Sequence, residues 1–343
     1  MTASRRLSAL DGLRGLAALG VVAYHYVDRP AYYGLLGVEL FFVISGFVIL
    51  MTLERVKSLT EFVIGRAARL YPAYWLSIGV AGLFLWVTDQ TTGRTILINA
   101  TMLQAFLYAP NIVSPYWSLA YELVFYATMA VIFKVSRLHN IDAISIAWLT
   151  LMILLRGAIL LSGHGWGFYN DWLVQSLLMP QFGHLFIAGM MLYRIRTGRA
   201  TKLTCVALIL AVFYSLFGRP DWAHISPTLY FLVNAAFITA VWAASSDRAS
   251  LLATPLLVGV GVCSYSLYLL HLPVKLVLSH LFGQLSGQPW FVIAVLFPAA
   301  IGTAVVSRRY IEQPVQLWAR KLITPAWMMD ERRPSITPTT GGR

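Results

Sequence analysis

The stretch from Gly34 to Leu53, GLLGVELFFVISGFVILMTL, contains a single ionisable side chain, that of Glu39. At a rise of about 1.5 Å per residue, a helix of this length crosses a hydrocarbon core of about 30 Å. An apolar run this long indicates a transmembrane helix, whereas helices in a soluble core are usually shorter. The stretch therefore predicts a membrane protein if the rest of the chain repeats the pattern.

The pattern does repeat along the chain. The 343 residues are 58% hydrophobic and only 12% charged, which is too apolar for one soluble core. We therefore predict an all-α polytopic membrane protein with about ten transmembrane helices. The predicted spans are 8–27, 34–53, 72–88, 116–134, 141–162, 177–194, 202–217, 226–244, 256–279 and 290–308.

The positions of the basic residues predict the orientation. The net charge of +12 at first suggests nucleic acid, but in a polytopic protein Lys and Arg mark cytoplasmic loops and anionic headgroups. With the N-terminus inside, twenty of the 26 basic residues fall on the cytoplasmic side. Both termini are thus predicted to be cytoplasmic, the lipid bilayer is the expected surroundings, and no nucleic-acid partner is expected.

Two segments outside the ten spans complete the predicted organisation. An eleventh span at 95–108 would place most basic residues outside, so we predict a re-entrant or interfacial helix there. Residues 1–319 are predicted to form one transmembrane domain. Residues 320–343 are rich in Pro, Thr, Gly and Arg and are predicted to be a disordered cytoplasmic tail.

The first predicted span carries two ionisable side chains that cost free energy to bury in a membrane, Arg14 and His25. Eleven residues separate them, which is three helical turns plus about 20°, so both lie on one face about 16 Å apart. Asp11 lies one turn before Arg14 and is expected to pair with it. The spacing places the guanidinium near the cytoplasmic end of this face and the imidazole near the other end.

Further ionisable residues are expected at the depth of His25. Glu39 in the second span and Glu122 in the fourth each enter the membrane about five or six residues from the outer side. The three side chains are predicted to form one layer, and intramembrane ionisable groups are functional candidates by default. The alternative for a single residue such as Glu39 is a hydrogen bond that bridges two helices.

The second span also contains glycines around Glu39 and Ser45. Gly34, Gly37 and Gly46 would let another helix or a ligand approach the backbone closely. The sequence favours neither explanation over the other.

The first cytoplasmic loop contains a helix start and two arginines. Ser58 and Glu61 have the spacing of a capping box, so a short surface helix is predicted to begin there and Pro72 to start the next span. Arg66 and Arg69 are one turn apart on a common face. Such a pair suits a phosphate-bearing ligand, and lipid headgroups are the alternative.

Five motifs along nearly the whole chain carry a family resemblance. They are the Arg14–His25 pair, Gly37-Val-Glu-Leu-Phe-Phe-Val-Ile-Ser-Gly-Phe47, Arg66-Ala-Ala-Arg69-Leu-Tyr-Pro72, Trp117-Ser-Leu-Ala-Tyr-Glu122-Leu-Val-Phe-Tyr126, and Gly261-Val-Cys-Ser-Tyr-Ser-Leu-Tyr-Leu-Leu-His271-Leu-Pro273. The chain resembles the membrane acyltransferase-3 family in these motifs. The stand-alone members of that family O-acylate surface glycans such as exopolysaccharides, and lipochitooligosaccharides.

The resemblance implies a bacterial inner-membrane enzyme that uses acyl-CoA from the cytoplasm as a co-substrate and a glycan or glycolipid as the acceptor. The expected donor site is Arg14, Arg66 and Arg69. His25 is the expected general base or acyl carrier, with Glu39 or Glu122 holding its tautomer. Further candidates within these motifs and beside Arg14 are Asp11, Ser45, Trp117, Ser118 and His271.

Trp117 has a second explanation as an aromatic anchor at the membrane interface. Neither a resident cofactor nor a metal site is predicted, and the sequence leaves the oligomeric state open. The competing functions are a proton-coupled transporter that uses the same intramembrane charges and a partner in polysaccharide export. The sequence shows no inverted repeat of the kind that secondary transporters often carry.

Overall fold

The computed structural model describes residues 7–27, 29–135, 137–162, 172–220, 224–246 and 249–323. Within these ranges the secondary structure is helical and contains no strand. The first eight α-helices are α1 Ser8–Val27, α2 Gly37–Leu53, α3 Leu59–Val87, α4 Gly93–Ala100, α5 Trp117–Lys134, α6 Ile141–Ser162, α7 Trp172–Leu178 and α8 Gly183–Arg196. They are followed by α9 Lys202–Tyr214, α10 Pro227–Ser245, α11 Pro255–Val262, α12 Ser264–Phe282, α13 Pro289–Phe291, α14 Phe297–Ser307 and α15 Gln313–Ile323.

Eight helical segments in the described part of the chain are long and apolar enough to cross a membrane. They are Ala31–Leu53, Leu59–Val87, Ser114–Lys134, Leu138–Ala158, Val174–Arg196, Pro227–Ser245, Ser264–Gly287 and Pro289–Ile323. Helix α1 has the length but carries Asp11 and Arg14, and α9 is shorter. The chain is therefore an all-α polytopic membrane protein.

Helix α3 differs from its sequence prediction. The structure has one helix of 29 residues, with Pro72 inside it, where a surface helix and a separate span were expected. Ser58 caps this helix as predicted, because its hydroxyl accepts from the backbone N–H of Glu61 at 3.1 Å. Proline is tolerated inside membrane helices that neighbouring helices support, and Tyr265 of α12 donates to the carbonyl of Leu70, two residues before Pro72, at 2.9 Å.

Two predicted spans are interrupted. The span 177–194 is divided between α7 and α8, with Met179 at a positive φ of 50° in the break. The span 256–279 is divided between α11 and α12 at Cys263. Hydrophobic periodicity does not reveal such breaks, since both halves remain apolar.

Only residues 95–100 of the segment 95–108, which was predicted to be a re-entrant or interfacial helix, lie in α4, and residues 101–108 form turns. The eight residues of α4 are too few to cross a membrane. At the other end of the chain, π-helical turns at Val292–Leu296 and Arg308–Glu312 join α13, α14 and α15. Helix α15 ends at Ile323, so residues 320–323 of the predicted tail are helical. Residues 324–343 lie outside the described residues.

The glycines of α2 serve helix packing. A Cβ on Gly46 would lie 2.0 Å from the carbonyl oxygen of Phe186 in α8, and a Cβ on Gly189 would lie 1.9 Å from that of Val43. Such short distances mean that the two backbones touch. This packing fixes the face of α2 that carries Val38 and Ser45.

We expect Gly46→Ala to lower the free energy of unfolding by about 1 to 3 kcal/mol, because the added methyl group forces α2 and α8 apart. Gly79→Ala in α3 is the matched control, since a Cβ there meets nothing within 4 Å. Denaturant unfolding of both variants in one detergent, followed by tryptophan fluorescence, measures the difference. Equal stability of the two variants would contradict the close contact.

Candidate active site

Helices α1, α2, α3, α5 and α12 enclose a cavity of about 750 Å³, counting the open space at its mouth. We call it the arginine cavity. Its polar lining residues are Arg14, Ser45, Arg66, Arg69, Ser118, Glu122, Tyr126, Tyr265 and Tyr268. The structure thus brings together three arginines from two helices, together with two of the predicted serines and one of the predicted carboxylates.

Glu122 is the acid of the arginine cavity. It accepts a short hydrogen bond from Tyr126, one helical turn later, and a bond of 3.4 Å from Ser45 in α2. The guanidinium carbon of Arg66 lies 5.9 Å from the centre of the Tyr126 ring. Buried Nε of Arg66 has no hydrogen-bond partner among the described residues. Arg66 is therefore oriented by packing and keeps donors for a ligand.

Arg69 is held by a different acid. Its Nη1 donates to Oε2 of Glu312 at 2.9 Å, and the same carboxylate lies 3.6 Å from Arg308. Glu312 is fully buried and also accepts a short hydrogen bond from Ser266. An ion pair with a buried carboxylate fixes the guanidinium at the wall of the arginine cavity.

A second cavity, of about 1510 Å³ when the open space at its mouth is counted, lies beyond the arginine cavity toward the last turn of α1. We call it the histidine cavity. Its lining includes Tyr24, His25, Tyr108, Asn111, Ser114, Trp117 and Tyr121. Trp117 packs against the rings of Tyr121 and Phe182 at centroid distances of 5.9 and 5.4 Å. The wall is thus largely aromatic, with an amide and a hydroxyl between the rings.

His25 and His271 form a hydrogen-bonded pair at this cavity. Nδ1 of His271 lies 3.2 Å from the carbonyl oxygen of Leu267, and Nδ1 of His25 lies 2.9 Å from that of Val21. A carbonyl only accepts, so in both neutral rings Nδ1 carries the proton. Nδ1 of His25 shares its one proton between the carbonyl of Val21 and Nε2 of His271, which lies 3.2 Å away. The tautomer leaves Nε2 of His25 as the basic nitrogen.

Two further contacts fix the ends of this pair. Tyr26 donates to the carbonyl of His271 at 2.7 Å, and Lys275 donates a short hydrogen bond to the carbonyl of His25. The second contact satisfies a carbonyl in the last turn of α1. Helices α1 and α12 are therefore joined at the level where the imidazoles meet.

The predicted layer of His25, Glu39 and Glu122 does not form. No hydrogen bond or ion pair joins His25 to either carboxylate, and the carbonyl of Val21 and His271 hold the His25 tautomer instead. Glu39 is buried and faces Tyr230 of α10, away from both cavities. Equal depth in the membrane did not bring the side chains together, because they project from different helix faces.

A third cavity, lined by Asp11, Arg14, Arg55 and Arg196 among others, adjoins the arginine cavity. Arg14 lines both cavities, and Asp11 lies within electrostatic range of it. Arg55 comes two residues after the end of α2, and Arg196 is the last residue of α8. We call the end of the bundle where these arginines lie its basic end. Basic side chains thus run from this end into the arginine cavity.

Sequence reasoning missed Tyr126, Tyr268 and Glu312 as site residues. Tyr126 is four residues after Glu122 and Tyr268 is three before His271, so each lies next to a predicted residue on its helix surface. That spacing was a usable signal. Glu312 gave none, because its contact with Arg69 joins residues 243 positions apart.

Comparison with known proteins shows which family the chain resembles. A family model described as "Acyltransferase domain" (Acyl_transf_3) matches residues 7–309. The O-acetyltransferase OatA of Staphylococcus aureus strain NCTC 8325 / PS 47 is 26% identical over 360 residues, covering 92% of this chain and 58% of that protein. A putative O-acetyltransferase of strain COL is 27% identical over 378 residues, covering 97% and 60%. The chain spans about three fifths of the length of these relatives. No solved structure shows a significant match.

Proposed function

The chain belongs to the acyltransferase-3 family, and from this premise we propose that it is an integral-membrane O-acyltransferase. It moves an acyl group, most simply acetyl, from cytoplasmic acyl-CoA to a hydroxyl of a cell-surface or lipid-linked sugar. The relatives are named as O-acetyltransferases, which supports the acetyl group. The bacterial relatives support a cell (inner) membrane, and the positive-inside pattern supports an orientation with the arginine cavity toward the cytoplasm.

One observation carries the proposal. The arginine cavity and the histidine cavity meet at Val38 and Tyr268, with guanidinium groups on one side and a basic imidazole nitrogen on the other. A donor with phosphates and an acceptor with a hydroxyl can therefore approach from opposite sides of the membrane. A helix bundle that served only structure would not need polar cavities on both sides of this point.

Arg14, Arg66 and Arg69 would bind the phosphates of acyl-CoA. Guanidinium groups match phosphate geometry with two parallel hydrogen bonds, and such charge-assisted bonds are the strong ones. The three side chains line one cavity, which opens past Arg14 toward the basic end of the bundle. Glu122 limits the positive charge there and, through Tyr126, keeps the Arg66 side of the cavity ordered.

His25 would act as the general base. The hydroxyl oxygen of the acceptor attacks the thioester carbonyl carbon while its proton moves to Nε2 of His25. The C–S bond then breaks and the CoA thiolate takes this proton, so the products are an ester and CoA thiol. The carbonyl of Val21 and Nε2 of His271 together hold the neutral tautomer that makes Nε2 of His25 available.

The histidine cavity suits a sugar. Aromatic side chains pack against the apolar faces of sugar rings, while amide and hydroxyl groups bond their hydroxyls. Tyr24, Trp117 and Tyr121 supply the rings, and Asn111 and Ser114 supply the polar groups.

The experiment that tests the function uses the purified full chain in detergent with radiolabelled acetyl-CoA and a bacterial glycan preparation. We expect release of CoA and transfer of label that both depend on the glycan. Release without label on any acceptor would contradict O-acylation. Uptake of a solute or protons that needs sealed vesicles, without group transfer, would support the transporter instead.

The role of His271 gives a separate prediction. We expect His271→Phe to lower kcat about tenfold, because one hydrogen bond of about 0.5 to 1.5 kcal/mol no longer holds the His25 tautomer. The KM for acetyl-CoA should stay unchanged, since the arginine cavity does not include this residue. His271→Gln has an amide oxygen that can accept from Nδ1 of His25 and should recover part of kcat. A rise in KM with kcat unchanged would contradict the positioning role.

A further inference from the structure

The two cavities have only Val38 and Tyr268 in common, and these residues stand where the cavities meet. Val38 projects from the first turn of α2, and Tyr268 lies one turn before His271 in α12. Both are buried, with exposed fractions of 7% and 6%. The boundary between the cavities is thus made by one aliphatic and one aromatic side chain.

Hydrogen bonds keep this boundary closed. The Tyr268 hydroxyl donates to the carbonyl of Pro115 at 2.9 Å and lies 2.7 Å from Oγ of Ser118. Ser118 also reaches this carbonyl, at 3.1 Å, so one hydroxyl donates to Pro115 while the other donates to its neighbour. These bonds join α12 to the start of α5 across the passage. The Tyr268 ring also packs beside Phe41, at a centroid distance of 6.0 Å.

The proposed reaction requires something to cross this boundary. The phosphate-binding arginines line one cavity and His25 lines the other, and Arg14 and His25 are about 16 Å apart along α1. The long arm of acyl-CoA between its phosphates and its thioester is a pantetheine chain with two amides. Only this arm and the acyl group need to pass between Val38 and Tyr268.

Pantetheine can replace the bonds that it breaks. An amide N–H of the arm can donate to the carbonyl of Pro115, and an amide C=O can accept from Ser118 or from a displaced Tyr268. When the passage opens, hydrogen bonds to the arm replace those between Tyr268, Ser118 and Pro115, so few buried polar groups are left without partners. Beyond its carbonyl, an acyl chain has no hydrogen-bonding groups, so its passage depends only on the width of the opening.

Resting on the proposed function, we propose that Tyr268, Ser118 and Val38 form a constriction that the acyl group must pass, and that this constriction restricts the donor to short acyl chains. Tyr268 and Val38 set the width, and Ser118 with the carbonyl of Pro115 binds the arm. Tyr268 is in this view a specificity-determining residue of the transfer reaction.

The test compares acetyl-CoA, butyryl-CoA and hexanoyl-CoA with the full-length enzyme in detergent, as the ratio of kcat/KM for acetyl over hexanoyl. We expect a high ratio in the wild type. In Val38→Ala and in Tyr268→Leu the ratio should fall by on the order of tenfold or more, since one methylene in an apolar pocket discriminates by about 10- to 200-fold. Tyr268→Phe keeps the ring, so it should keep the ratio while raising the KM for every donor.

Ile49→Ala is the control. Ile49 lines the arginine cavity away from the constriction, so its truncation should leave the ratio unchanged. An unchanged ratio in Val38→Ala would overturn the constriction, even if Tyr268→Leu failed to fold. A wild type that transfers no acyl group from any of the three donors would instead overturn the proposed function.

Discussion

His25→Ala is expected to reduce acyl transfer by about 10² to 10⁴, because positioned proton transfer typically contributes this much to the rate. His25 lines the histidine cavity with its basic nitrogen, whereas His271 is fully buried and does not line that cavity. The remaining imidazole therefore cannot take over the role. The measurement is glycan-dependent release of CoA by the purified variant.

His280→Ala is the matched control for His25→Ala. His280 is exposed in the last turn of α12, and its ring packs 5.2 Å from that of Phe84, outside both cavities. Its loss should leave transfer near the wild-type rate. A His25→Ala enzyme that elutes as folded protein and acylates normally would refute the assignment. If the wild-type enzyme becomes labelled in the absence of glycan and the His25→Ala enzyme does not, His25 carries the acyl group instead of a proton alone.

Arg66→Gln is expected to lower kcat/KM for acetyl-CoA by about 10- to 100-fold. A hydrogen bond to a charged group contributes about 1.5 to 3 kcal/mol. Arg66 packs against the Tyr126 ring, and its Nε has no hydrogen-bond partner among the described residues, so it can form such a bond with a phosphate. Glutamine keeps a polar side chain of moderate length but loses the charge and the planar fork.

The decisive comparison for Arg66 uses a truncated donor. Acetyl-pantetheine has the thioester and the arm but no phosphates, so wild type and Arg66→Gln should use it equally well. Arg320→Gln at the exposed end of the last helix is the control for a general loss of positive charge and should behave as wild type with both donors. A defect of Arg66→Gln that is equally large with acetyl-pantetheine would contradict phosphate binding.

Much of the architecture could be predicted because hydrophobic length is a property of local sequence. The run from Gly34 to Leu53 lies within a spanning segment of the structure, and Ser58 caps α3 as expected. The breaks at Met179 and Cys263 and the continuity of α3 through Pro72 could not be predicted. Each depends on which neighbouring helix supports the backbone at that point.

The candidate site divides in the same way. Helical periodicity placed Arg66 and Arg69 on one face, and both line the arginine cavity. It also placed His25 on the face of Arg14, three turns away. Periodicity did not identify the partner of His25, because that depends on the rotation of α12 about its own axis.

The sequence by itself determined that the chain is a polytopic helical membrane protein. It also determined which ionisable side chains lie in predicted spans, where burial costs free energy and a functional role is expected. Length, hydropathy and the 3.6-residue period are properties of single helices, so they can be predicted from the local sequence. The tertiary structure alone decided that His271 bonds His25, that Glu39 faces α10, and that Tyr268 lies where two cavities meet. These contacts join residues up to 246 positions apart, and they follow from how whole helices rotate and pack against one another.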